Sequence, residues 1–130
     1  MDRKPTALLV EDDVFIAGLA LEHFNDVFET THVEGVHAAR QALAEQSFDV
    51  LFLDIMLPDG DGIDFLAGYR ASNPEHPALA VMLTNLGDER IMKRATDAGA
   101  ELFFVKSTAN YGEIAQTVLA ELEQRTGAGQ

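Results

Sequence analysis

The stretch VLFLDIMLPDGDG (residues 50–62) decides the fold. Val50 to Leu53 form an unbroken apolar run, and Ile55, Met56 and Leu57 extend it. Such a run, closed by a turn rich in Pro, Asp and Gly, reads as a strand buried on both faces, as in a parallel sheet covered by helices. Asp54 interrupts it. Carboxylates are rarely buried without a partner or a task, so the acid is best placed as the last residue of the strand.

The same grammar repeats outward. TALLV (6–10), FETTHVE (28–34), DVLFLD (49–54), ALAVMLT (78–84) and LFFVK (102–106) read as strands, the second weaker and more exposed. Helical patterns lie between them at about 14–24, 36–46, 62–72 and 88–99, and a last helix runs from about Asn110 to Gln124 with Ile114, Val118, Leu119 and Leu122 as its apolar stripe. The third helix ends before Asn73-Pro74, and Gly99 closes the fourth. The alternation is (βα)5, a doubly wound five-stranded parallel sheet of the α/β class. Sheets of this kind bind ligands outside the carboxyl ends of their strands, at the topological switch point.

Composition narrows the function. The chain has 130 residues and a formal net charge of -13, from 22 acids against 9 Lys and Arg. Nucleic acid and anionic membrane surfaces are both disfavoured as partners by that charge. With no cysteine there is neither a disulfide framework nor a thiolate site. No apolar run approaches the roughly 20 residues of a membrane span, and the N-terminus does not read as a signal peptide. The expectation is a single cytoplasmic domain, residues 1–130, with its core at about 6–124 and a frayed tail at 125–130, and no second domain after it.

The strand ends gather the chemistry. Strand one ends in Glu11, Asp12 and Asp13, strand three in Asp54, strand four in Thr84 and strand five in Lys106. In a parallel sheet these groups meet on one edge. Clustered carboxylates repel one another unless a cation sits among them, and a few hard oxygen ligands open to water suit Mg²⁺ better than a caged Ca²⁺. Lys106 and Thr84 then supply a charge and a hydroxyl for an oxyanion at Asp54, whose carboxylate can act as a nucleophile towards phosphoryl groups. Asp13 precedes a helix and reads as its N-cap.

On these residues the chain resembles the response-regulator receiver domains of two-component signalling, over about residues 6–124. The separations agree: 42 residues from Asp12 to Asp54, 30 from Asp54 to Thr84 and 22 from Thr84 to Lys106. The resemblance implies a flavodoxin-like fold with strand order 2-1-3-4-5. It makes Asp54 the phospho-acceptor, Asp12 a direct metal ligand, Glu11 a ligand through water, and the Met56 main-chain carbonyl a further ligand. Thr84 becomes the switch hydroxyl, Lys106 the family's lysine, Phe103 the aromatic switch, and Pro58 and Gly62 the shapers of the following loop. It further implies Mg²⁺, with Mn²⁺ as a substitute, a histidine kinase or histidine phosphotransfer protein as donor, and a downstream protein target on about 88–124. A monomer or weak dimer is expected, and Met1 and the short tail suggest a stand-alone receiver.

Two positions depart from the family pattern. Ser107 stands where most members have Pro, often after a cis bond; a trans bond is expected before Ser107, because a cis bond to a non-proline residue costs roughly 3 kcal/mol. Asn85 stands where the family usually has a small residue, such as Ala, Ser or Gly. Three further readings compete. A haloacid-dehalogenase-type phosphatase also uses Asp, Thr or Ser, and Lys, but it needs a second Asp where this chain has Met56, and its metal acids follow the lysine. A receiver cut from a longer regulator is the second. An EF-hand in DGDGID fails at Ile63 and Arg70, leaving Asp59 and Asp61 as turn formers. His23, His32, His37 and His76 share no metal-ligand spacing and read as surface or packing residues. Apolar Met56 and Leu86, flanking the path of the attacking water in this family, imply slow self-dephosphorylation.

Overall fold

A computed structural model describes residues 3–127. Five strands, β1 (Thr6–Val10), β2 (Glu29–Val33), β3 (Val50–Leu53), β4 (Leu79–Thr84) and β5 (Leu102–Val105), form one parallel sheet in the order β2-β1-β3-β4-β5. The helices are α1 (Val14–Phe24), α2 (Val36–Glu45), α3 (Gly62–Ala71), α4 (Glu89–Ala98) and α5 (Tyr111–Gly127). The expected (βα)5 winding is the observed one.

Period-two alternation sorts the strand residues into two cores. Leu8, Val10, Leu51, Leu53, Ala80 and Met82 face α2, α3 and α4. Ala7, Leu9, Val50, Phe52, Val81 and Leu83 face α1 and α5, where Phe24 stacks on Phe52 with ring centroids 4.3 Å apart. β3 is buried at every residue because both faces are covered, which is why it read as a continuous apolar run. β2 is the edge strand and alternates with exposed polar residues. Helix α1 is apolar on its outer face too, with Val14 and Phe15 66% and 73% exposed.

Several boundaries differ from expectation. The last helix starts one residue later, with the Asn110 side chain accepting from the Glu113 N–H at 3.0 Å, and it continues to Gly127 rather than stopping at Gln124. The helical backbone thus reaches into the expected tail at 125–130, of which residues 128–130 lie outside the described ones. A short 3₁₀ turn, Lys106–Thr108, follows β5, and a two-residue hairpin pairs Met56–Leu57 with Gly60–Asp61 after β3. A hydrophobic pattern carries no sign of either. No cis peptide bond occurs among the described residues, in line with the expected trans bond before Ser107. Among them no helix is long and apolar enough to cross a membrane.

The acids that punctuate the loops cap helices. Asp13 caps α1, accepting from the Phe15 and Ile16 N–H groups at 2.9 and 3.1 Å. Asp61 caps α3 in the same manner. Asp59 does something a turn former need not: it reaches across to α2 and accepts from the Val36 and His37 N–H groups at 2.7 and 3.0 Å. Gly35 sits where α2 would carry its own cap, and a Cβ there would lie 2.6 Å from the Asp59 carboxylate. The two amide donors hold the Asp59 pKa below its usual 3.8. A depressed carboxylate contributes stability above its unfolded pKa and loses it as pH falls through the lower folded value. Asp59→Ala is therefore expected to melt below wild type at neutral pH, with the two melting curves converging as pH drops under 3.8. Thermal melts in a pH series check this, and a gap that stays constant into acid would refute it.

Candidate functional site

The strand order reverses between β1 and β3, so the switch point lies where Glu11, Asp12 and Asp54 leave the sheet. Pairing of Val10 with Leu53 sets the ends of these strands level, and that of Leu53 with Met82 and Thr84 with Val105 brings in the ends of β4 and β5. Carboxylate oxygens of Glu11, Asp12 and Asp54 all lie within 4.8 Å of one another. Asp12 is exposed, whereas Glu11 and Asp54 are buried.

Lys106 answers the buried acids. Its Nζ lies 2.6 Å from Asp54 Oδ2 and also pairs with Glu11 Oε1. The Lys106 side chain is 8% exposed. Burial opposes its charge, yet the two carboxylates outweigh that effect and hold its pKa above the usual 10.5. Burial also dominates at Glu11 and raises its carboxyl above 4.5, against the opposing pull of Lys106 and the Asp13 N–H. That N–H bonds Glu11 Oε2 at 3.0 Å. The second oxygen of Asp54, Oδ1, accepts from the Ile55 N–H at 2.7 Å.

Three carboxylates and one ammonium leave a formal charge of about two negatives to balance. Hard oxygen donors, one of them open to water, fit a divalent cation that keeps part of its hydration shell, and so fit Mg²⁺.

Thr84 is buried at the end of β4, and its Oγ1 accepts from the Leu86 N–H at 3.3 Å, within its own loop. Phe103 is half-buried and packs against the core on the α2, α3 and α4 side, while Phe104 packs on the opposite side, as alternation requires. Met56 is 68% exposed in the short hairpin after Asp54, and Leu86 is exposed at 36%. Pro58 occupies the exposed tip of that hairpin.

Gly62 has a sharper role than loop shaping. A Cβ on it would lie 1.9 Å from the Asp54 carbonyl oxygen, so the chain returns past Asp54 at a distance only glycine allows. Gly62→Ala is expected to displace the end of β3 and cost about 1–3 kcal/mol. A urea titration reads this as a lower midpoint, and an unchanged midpoint would contradict it.

His32, expected as a surface or packing residue, holds the backbone beside the site. Its Nε2 lies 2.7 Å from the Glu11 carbonyl oxygen; a carbonyl only accepts, so His32 donates and braces the main chain at a clustered acid. Parallel pairing of β1 with β2 brings His32 there, opposite Leu9, and no local motif announces it. The two family departures also meet: the Ser107 N–H donates to Asn85 Oδ1 at 2.9 Å.

The chain is similar to proteins already known. The family model described as response regulator receiver domain matches residues 7–118. The chain is 31% identical over 129 residues to a protein-glutamate methylesterase/protein-glutamine glutaminase of Syntrophotalea carbinolica, a match covering 94% of this chain and 35% of that protein. It is 32% identical over 100 residues to the chemotaxis protein CheY of Halobacterium salinarum, covering 76% of this chain and 82% of CheY. The solved signal receiver domain assigned to a LuxO repressor of Vibrio parahaemolyticus superposes with a TM-score of 0.86 at 26% identity, over 97% of this chain and 95% of that one. The chain thus spans about a third of the methylesterase but most of CheY.

Proposed function

The chain belongs to the response-regulator receiver family of two-component signalling, and we propose that Asp54 is its phosphoryl acceptor. The single observation that carries this reading is the convergence of Glu11, Asp12 and Asp54 on one edge of the sheet, with Lys106 bridging two of them.

In the proposed reaction an Asp54 oxygen attacks the phosphorus of a phosphohistidine on a histidine kinase or histidine phosphotransfer protein. The new O–P bond forms as the P–N bond breaks, and the imidazole leaves with the electron pair. Bound Mg²⁺ supplies charge neutralisation on the transferring phosphoryl oxygens. Asp12 and Asp54 would hold it directly, with the Met56 carbonyl, and Glu11 would act through water. Mn²⁺ would substitute. The Lys106 ammonium lies 2.6 Å from Asp54 and would turn from carboxylate to phosphoryl oxygen.

The acyl phosphate adds about −1.5 to −2 charge near neutral pH, by analogy with other phosphorylated side chains. Thr84 would give up the Leu86 N–H and donate to the phosphoryl group. The loop shift would open space for Phe103, altering the face of α4, β5 and α5 that meets a target protein. This is a two-state shift biased by one group. The domain works as a signalling module in the cytoplasm, as a monomer or weak dimer, with slow self-dephosphorylation past Met56 and Leu86.

The haloacid-dehalogenase reading loses its ground to the family match, because the metal acids precede the nucleophile and Met56 stands where its second Asp belongs. Incubation with acetyl phosphate tests the proposal. One phosphoryl group should be gained with Mg²⁺ present and none after chelation. Turnover of free phosphomonoesters without a stable adduct would favour the phosphatase instead.

A further inference from the structure

We propose that Asn85 is a positioning residue of the switch, its side-chain carbonyl and the Ser107 N–H forming a clasp that holds the unphosphorylated arrangement. The inference rests on Asp54 as phosphoryl acceptor. The clasp is 2.9 Å long and joins the residue after Thr84 to the residue after Lys106. It thus ties together the two loops that carry the groups expected to close on a phosphoryl group.

Both ends of the clasp are unusual in a complementary way. The Ser107 N–H belongs to the second residue of a 3₁₀ turn, where the first donors have no acceptor within the turn. A proline at 107 would have no N–H to give. An alanine or glycine at 85 would have no side-chain oxygen to offer it. The two departures from the family pattern are therefore two halves of one hydrogen bond, and neither makes it alone.

The bond opposes the motion that activation requires. Thr84 Oγ1 is engaged with the Leu86 N–H, so the loop is folded on itself. The same loop lies close against β5, where a Cβ on Gly87 would meet Val105 Cγ2 at 3.1 Å. Carrying the Thr84 hydroxyl to Asp54 moves residues 85–87 relative to the turn after β5 and stretches the clasp. A bond present in one state and absent in the other shifts the population towards the first.

Beryllofluoride with Mg²⁺, a stable stand-in for the phosphoryl group, provides the test. Asn85→Ala is expected to bind it about three- to tenfold more tightly than wild type, the worth of one neutral hydrogen bond. Ser107→Ala retains the N–H and should bind as wild type does. By NMR, the Ser107 amide should exchange slowly in wild type and faster in Asn85→Ala, while Asn85→Asp, which keeps an acceptor oxygen, retains the protection. Unchanged or weaker binding in Asn85→Ala, or Ser107 exchange indifferent to residue 85, would overturn the clasp. If wild type bound no beryllofluoride at all, the acceptor reading would fail, and the exchange comparison would still judge whether the clasp exists.

Discussion

Lys106→Met is expected to lower the unfolding free energy by about 3 kcal/mol at neutral pH without divalent cation, the low end of what removing one partner of a buried ion pair costs. The low end applies because the site opens to water on the Asp12 side. Lys106 is the cation paired with both buried carboxylates, Glu11 and Asp54. Methionine keeps the stem and removes the charge, leaving two acids facing each other. The sign with pH follows from the shifts. A lysine raised above 10.5 gives its full contribution below that value and loses it as pH rises through the folded pKa. A carboxyl raised above 4.5 costs stability as pH rises through its folded value and costs nothing when protonated. The deficit of the variant should thus be full at neutral pH and shrink as pH falls towards 4.5. Added Mg²⁺ should narrow it as well, by placing a cation among the acids. Urea titrations at two pH values, with and without MgCl₂, make the comparison; equal stabilities throughout would show that Lys106 is not the counter-charge described.

Asp12→Ala should behave in the opposite way. Among the described residues no hydrogen bond or ion pair holds the Asp12 side chain, which is exposed and within 4.8 Å of two other carboxylates. Its removal relieves repulsion, so the metal-free variant should be as stable as wild type or more so. Mg²⁺ affinity should fall by well over tenfold, since loss of an outer-sphere partner alone costs about 10–100-fold. Calorimetric titration with MgCl₂ reads the affinity and thermal melting the stability. Affinity retained within a factor of about three would remove Asp12 from the ligand set. The contrast between the two variants separates a residue that holds the site together from one that serves only the ion.

Much of this was legible in the sequence because the informative features are one-dimensional. Burial on both faces turns β3 and β4 into continuous apolar runs, and parallel winding sends every strand end to one edge, so Glu11, Asp12, Asp54, Thr84 and Lys106 could be grouped from their positions alone. The features that escaped depend on cross-chain geometry. Asp59 looked like a turn former because its cap lies on α2, more than twenty residues back in the chain. His32 looked like packing because its contact with the Glu11 carbonyl is made through strand pairing. Asn85 and Ser107 looked like two separate departures until one was seen to donate to the other. Helix α5 ran past its expected end because its boundary reading used the apolar stripe, which stops at Leu122, while the helical backbone continues to Gly127.

The residue on which the phosphoryl group lands decides whether Asp54 is the acceptor. After incubation with acetyl phosphate and Mg²⁺, borohydride converts an aspartyl phosphate to homoserine, and peptide mass mapping then locates it. A single converted residue at position 54, abolished in Asp54→Asn, is expected. Conversion at any other acid, or a phosphoryl adduct that persists in Asp54→Asn, would contradict it.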